Sequence, residues 1–184
     1  RSLVIRMVTV DGVEGWGETY GLVAPKATAE IINDLLTGFV IGRDPMDRET
    51  LHDELYGLMR VRGYTGGFYL DALAGIDIAL WDIAGKALDV PAWRLLGGRR
   101  RQRIRCYANL NRGTKDRSPE GFARQAAAAV AAGFRAVKCT PFDEVRGGLA
   151  DRDGVESGLD QGVARLQAAR EAIGGEIELL VDCH

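Results

Sequence analysis

The chain has 184 residues, 46% of them hydrophobic, with 24 Lys and Arg against 26 Asp and Glu for a formal charge of -2. That balance suits one large globular domain or two small ones, and it gives no electrostatic reason to expect nucleic acid or an anionic membrane as a partner. No apolar run approaches the length of a membrane span, and three widely spaced cysteines without a Cys-x-x-Cys fit a reducing, cytoplasmic setting.

The first segment reads as antiparallel. Leu3 to Val10 is rich in β-formers, Asp11-Gly12 predicts a two-residue hairpin turn, and Val13 to Glu18 returns. A hairpin alone is marginal in water and needs a helix or a third strand to cover it. Two helices follow. Lys26 to Leu36 sets Ala27, Ile31 and Leu35 on one face; the next opens with Asp44 as N-cap and Pro45 in its first turn, burying Leu51, Leu55 and Leu58. Arg60 to Gly67 is a glycine-rich loop with two arginines and a tyrosine. A long helix from about Phe68 to Leu88 is apolar around much of its circumference, which predicts deep burial. It stops before Pro91, and a short turn ends at Gly97-Gly98.

The run Arg99-Arg100-Arg101-Gln102-Arg103 reads as a solvated connector. It separates residues 1–98 from a second domain, 99–184. The second part alternates strand and helix. Ile104 to Leu110 is a strand; a helix starts at Ser118 (N-cap) and Pro119, packs Phe122, Ala126 and Val130, and stops at Gly133. Phe134 to Thr140 is the next strand, and Asp143 to Gly158 reads as a loop. A further helix sets Val163, Leu166, Arg170 and Ile173 at helical spacing and ends at Gly174-Gly175, before a last strand from Ile177 to Val181. Right-handed crossovers in such a βαβαβ run predict a parallel sheet.

Polar groups stand where two of these strands stop. Lys138 ends one apolar run; Asp182 and His184 end the next, and their spacing puts both on one face. The C-terminal ends of parallel strands are where α/β barrels and open α/β sheets hold their chemistry. An Asp-x-His pair also occurs at helix caps and on solvated loops, and a strand-end lysine also snorkels to water. His52 falls on an exposed helix face and reads as structural. Cys139 and Cys183 alternate with the inward residues and read as small packing groups facing the helices.

The block Ala72-Leu73-Ala74-Gly75-Ile76-Asp77-Ile78-Ala79-Leu80-Trp81-Asp82-Ile83-Ala84-Gly85-Lys86, followed by Pro91 and Leu95-Leu96-Gly97-Gly98, resembles the mandelate racemase and muconate-lactonizing branch of the enolase superfamily. Gly15-Trp16-Gly17-Glu18 is similar to a strand of that branch's capping domain. The resemblance covers essentially the whole chain. It implies an α+β capping domain followed by the first three strands of a modified TIM-type (β/α) barrel. It also implies Mg²⁺ as cofactor, with Asp182 as the first metal ligand. Lys138 matches the first lysine of the branch's Lys-x-Lys motif and would stabilise an enediolate formed by removing the proton α to a carboxylate. A hard cation that takes carboxylate oxygens suits that charge.

Two departures shape the functional expectation. Thr140 stands where the second lysine belongs, so that face has no lysine base, although the hydroxyl can bind substrate. His184 after Asp182 resembles the arrangement of the branch's acid-sugar dehydratases, in which the histidine acts as general acid on a departing β-hydroxyl; a packing role is the alternative. Tyr20, Arg60 and Tyr64 belong to loops that the resemblance places over the barrel mouth, where they would contact substrate. The expected activity is dehydration of a small sugar acid to a 2-keto-3-deoxy acid. An epimerase, a racemase, a cycloisomerase and a non-catalytic binding segment remain open. A homo-oligomer is the expected assembly. A barrel of this class needs about 250 residues, and the resemblance places further metal ligands and the base on later strands. The chain is therefore expected to be a segment of a larger enzyme, inactive by itself.

Overall fold

The computed structural model describes residues 2–21, 23–111, 113–145 and 151–183. The chain divides into two units, Arg1–Arg100 and Arg101–His184. Among the described residues no helix is long and apolar enough to cross a membrane.

The first unit opens with an antiparallel pair, β1 (Ser2–Val8) and β2 (Glu14–Tyr20), in the register Ser2↔Tyr20 to Val8↔Glu14. The turn differs from the two-residue expectation. Thr9 and Val13 still pair, and the loop is Val10-Asp11-Gly12, closed by the Gly12 N–H on the Thr9 carbonyl with Gly12 at φ +90°. A three-residue loop with glycine in the left-handed position does the same job. The Thr9 hydroxyl also accepts from the Val13 N–H at 2.8 Å.

Next comes a continuous helical stretch: α1 (Pro25–Glu30), a π-helical segment (Ile31–Leu36) and α2 (Thr37–Val40). Of the expected inward residues, Ile31 and Leu35 pack half-buried against the core while Ala27 faces out, and Thr28, Leu36 and Val40 are the buried positions. The helix expected from Asp44 starts later, as α3 (Arg48–Arg60); the Asp44 side chain instead accepts from the Met46 N–H in a preceding turn. Leu51 and Leu55 are buried, Leu58 only half so.

The long helix α4 (Gly67–Ala87) is the spine of this unit, burying Ala72, Leu73, Ile76, Ala79, Leu80, Ile83 and Ala84. Its contact with β2 explains the glycines of both motifs. A Cβ on Gly17 would lie 2.0 Å from the Gly75 carbonyl oxygen, and one on Gly75 would meet Ile5 Cδ1 at 2.2 Å. Strand and helix backbones touch only because neither carries a side chain there. Polar ties lock the register: the Trp16 N–H donates to Asp82 Oδ2 at 2.9 Å, and Lys86 Nζ donates to Asp82 Oδ2 and to the Glu14 carbonyl. Burial works against the Asp82 charge, yet the Lys86 and Trp16 hydrogen bonds hold its carboxyl below the usual range. A single turn, α5 (Ala92–Leu95), closes the unit.

The second unit is a parallel sheet in the sequential order β3 (Ala108–Asn109), β4 (Ala136–Cys139), β5 (Glu178–Val181). Its helices are α6 (Pro119–Ala131) and α7 (Arg152–Ile173). The first strand is shorter than expected: only two residues pair, and Ile104 to Cys106 are exposed. Ser118 caps α6 through its hydroxyl on the Gly121 N–H at 3.1 Å, and Gly133 ends the turn after it at φ +94°. Both helices pack on the same face of the sheet. Leu110, Phe122, Ala126, Val137, Cys139, Ala169, Ile173 and Ile177 form one core. One-sided helix cover over sequentially ordered parallel strands is the start of a (β/α) barrel, whereas a doubly wound sheet has helices on both faces.

The last seven residues of the loop expected up to Gly158 are helix, because α7 already begins at Arg152. Asp151 caps it by accepting from the Gly154 N–H at 3.2 Å. Gly154, Gly158 and Gly162 lie four residues apart along one stripe. Gly162 packs against the Phe142 ring and Gly158 against Val145. The buried face of α7 is Gly162, Arg165, Ala169 and Ile173, with Val163 exposed rather than inward.

Candidate functional site

Strand alternation decides what the face of the sheet away from α6 and α7 presents. Val137 and Cys139 point into the core under α6 and α7, so Lys138 between them points away. The parallel register pairs Lys138 with Asn109 and with Leu180. The ladder closes with the Asp182 N–H on the Cys139 carbonyl at 3.0 Å, which makes Thr140 and Asp182 leave the sheet side by side.

Lys138 and Asp182 meet. Lys138 Nζ lies 2.8 Å from Asp182 Oδ2, with both side chains partly open to solvent. The Asp182 hydrogen bond raises the lysine above its ordinary value; burial opposes this and loses. Tyr107, immediately before β3, adds its ring face, 5.5 Å from Nζ, within the range of a cation–π contact. His184 lies outside the described residues.

Thr140 is 4% exposed. Its N–H donates to Asn111 Oδ1 at 2.7 Å and its hydroxyl to Asp143 Oδ2 at 2.8 Å, while Asn111 Nδ2 donates to the same Asp143 oxygen at 3.3 Å. Beneath this group two arginines share one carboxylate. Arg117 Nε donates to Glu144 Oε1 at 2.6 Å and its Nη2 to the Thr140 carbonyl at 3.2 Å. Arg165, 5% exposed, donates to the Arg117 and Pro141 carbonyls at 2.7 and 2.8 Å and to Glu144 Oε2. Both guanidiniums lie over the Phe122 ring, at 4.7 and 5.5 Å. Burial works against the Glu144 charge, but hydrogen bonds from Arg117 and Arg165 keep its carboxyl below the usual range. This clamp shapes the turn after β4 from which Thr140 and Asp143 project.

The remaining candidates belong to the first unit. Tyr20 ends β2 with an exposed ring; Arg60 ends α3 with its guanidinium 6.0 Å from the Tyr56 ring; Tyr64 is exposed in the loop, its N–H on the Met59 carbonyl. No hydrogen bond or ring contact joins these three to one another among the described residues. His52 is exposed and stacks on Tyr56 at 6.4 Å. Cys139 is packed in the core, where burial pushes its thiol up to about 11, while Cys183 is exposed.

For a divalent cation, Asp182 offers a hard oxygen of the right kind at a strand end. Among the described residues there is no group of three or more His, Cys, Asp or Glu that could hold a metal ion. The Asp182 carboxylate is of the donor chemistry that suits magnesium.

Residues 1–97 match the family model described as the mandelate racemase / muconate lactonizing enzyme N-terminal domain. The chain belongs to this family. Its relatives include the D-xylonate dehydratase of Haloferax volcanii, 34% identical over 99% of this chain and 44% of the relative. The D-galactarolactone cycloisomerase of Agrobacterium fabrum is 35% identical over 95% of this chain and 42% of the relative. A solved enolase-superfamily member from Agrobacterium tumefaciens superposes with a TM-score of 0.77 at 42% identity, over 98% of this chain and 42% of that one. The chain thus spans less than half the length of the curated relatives it matches. The first unit is the capping domain of the mandelate racemase/muconate lactonizing family, and β3-β4-β5 has the order and direction of the start of its barrel.

Sequence reasoning missed Asn111, Asp143 and the Arg117–Glu144–Arg165 clamp. Asn111 was open to the same strand-end logic as Thr140 and Asp182. Arg165 announces itself as a charge on the buried stripe of α7. Asp143 carried no signal, because the turn that folds it back onto Thr140 is held by residues distant in sequence.

Proposed function

We propose that this chain contributes the capping domain and the first three strand ends of a Mg²⁺-dependent sugar-acid dehydratase. The observation that carries the reading is Lys138 Nζ beside Asp182 Oδ2 at the C-terminal edge of the parallel sheet, in a chain with a relative named as a D-xylonate dehydratase. Lys138 binds the substrate carboxylate and meets the negative charge that grows on its oxygens once the α-proton is removed. Asp182 holds one position of the cation, which when bound supplies further positive charge to those oxygens. His184 delivers a proton to the departing β-hydroxyl, so water leaves and the enol product ketonises to a 2-keto-3-deoxy acid. Tyr20, Arg60 and Tyr64 of the first unit are the further candidates for substrate contact.

A second reading, an isomerase or epimerase using the same α-proton abstraction, is favoured by the relative named as a D-galactarolactone cycloisomerase. One NMR experiment separates the two. In a polypeptide of the relatives' length carrying this chain, candidate sugar acids incubated in D₂O give the 2-keto-3-deoxy acid with wild type. His184→Asn loses that product while still exchanging the α-proton. Unchanged dehydration by the variant removes His184 from its role; inversion without water loss by the wild type transfers the case to the isomerase.

A further inference from the structure

We infer that Asp143 is a specificity-determining residue of this site: its carboxylate accepts a hydrogen bond from a substrate hydroxyl close to the carboxylate end of the ligand. The inference rests on the reading above and adds a residue and a selection rule to it. Thr140 follows two residues after Lys138 and leaves the sheet beside Asp182. A sugar acid whose carboxylate lies on Lys138 therefore brings its next carbons to the Thr140 corner.

What it meets there is Asp143. Thr140 is nearly fully buried, and its one hydroxyl proton is given to Asp143 Oδ2. That same oxygen takes the Asn111 amide and lies 3.6 Å from Arg117 Nη2. No described residue donates to the other oxygen, Oδ1, and the Asp143 side chain is 39% exposed. The cationic partners lie deeper: Arg117 is 23% exposed and Arg165 6% at the side chain, against 46% for Glu144. This corner therefore shows solvent an acceptor, held in place by donors behind it. An ionised carboxylate only accepts, so it selects a ligand group that donates, and a polyol carries hydroxyls for that purpose.

Asp143→Asn tests the orientation directly. The Thr140 hydroxyl and the Asn111 amide are both donors, so they hold the amide oxygen of the variant and turn its NH₂ outward, replacing an acceptor by a donor. The assay uses a polypeptide of the relatives' length and sugar-acid pairs that differ only in the configuration or presence of the C2 or C3 hydroxyl, plus pairs that differ at the far end. Wild type should prefer one member of a near-end pair by at least about tenfold in kcat/KM, the scale of one hydrogen bond to a charged group. The variant should lose most of that preference and keep its far-end preferences; Asp143→Ser, which also removes the carboxylate, should do the same. Near-end ratios unmoved in both variants, or an equal loss across all pairs, would overturn the role of Asp143 alone. A wild type that turns over no sugar acid would sink the functional reading, and this inference with it.

Discussion

At the residue scale the Lys138–Asp182 pair is the point where charge chemistry and fold meet. Lys138→Met in a polypeptide of the relatives' length should lower kcat by ~10²–10³, the usual loss on removing one strong electrostatic donor. Steady-state kinetics would check this, and a variant that is merely less stable, with normal kcat, would argue that Lys138 only snorkels. The pair also has a pH signature. Because Asp182 raises the lysine in the folded state, the stability it contributes is complete below the ordinary lysine value of 10.5 and disappears as pH climbs through the raised one. The difference in unfolding free energy between wild type and Lys138→Met should accordingly stay flat from neutral pH to about 10 and shrink above it. Both strand-end residues were legible in the sequence, since an apolar run ending in a charge is a local pattern. Their contact was not, because it depends on a register between strands some forty residues apart.

At the scale of elements, glycine had two opposite meanings that sequence alone does not separate. Gly12 sits in a turn at positive φ, as a turn glycine should. Gly154 and Gly158 read as loop but lie in α7 with Gly162, and the missing side chains of Gly158 and Gly162 admit Val145 and Phe142. A Cβ on Gly162 would fall 2.1 Å from the Phe142 ring. Gly162→Ala should therefore destabilise by ~1–2 kcal/mol, overpacking outweighing a gain of about 1 kcal/mol in helix propensity. Gly57 in α3 has nothing within 4 Å of its would-be Cβ, so Gly57→Ala should stabilise by up to ~1 kcal/mol. Urea unfolding of the two variants side by side is the measurement, and a stabilised Gly162→Ala would contradict the packing account. The π turn at Ile31–Leu36 is a similar case: composition announces a helix, but packing against α4 sets which face is buried.

For the whole molecule, the run Arg99 to Arg103 is exposed at the junction of the two units. Brief trypsin treatment should cut there first, and mass spectrometry of the earliest fragments would show it; initial cleavage inside α4 or α7 would count against two separately folded units. The sequence by itself determined the element order, the capping-domain motifs, the parallel βαβαβ run and the strand ends where polar groups stand. Those features follow from hydrophobic period, capping residues and turn chemistry, all written within a few residues of one another. Only the tertiary structure decided that α6 and α7 cover one face of the sheet, that Thr140 is buried behind Asp143, and that Arg117, Glu144 and Arg165 hold that corner in place. Apart from the Thr140–Asp143 hydrogen bond itself, these outcomes rest on contacts between residues more than twenty positions apart, which no local pattern specifies; packing and hydrogen-bond satisfaction across the fold choose among them.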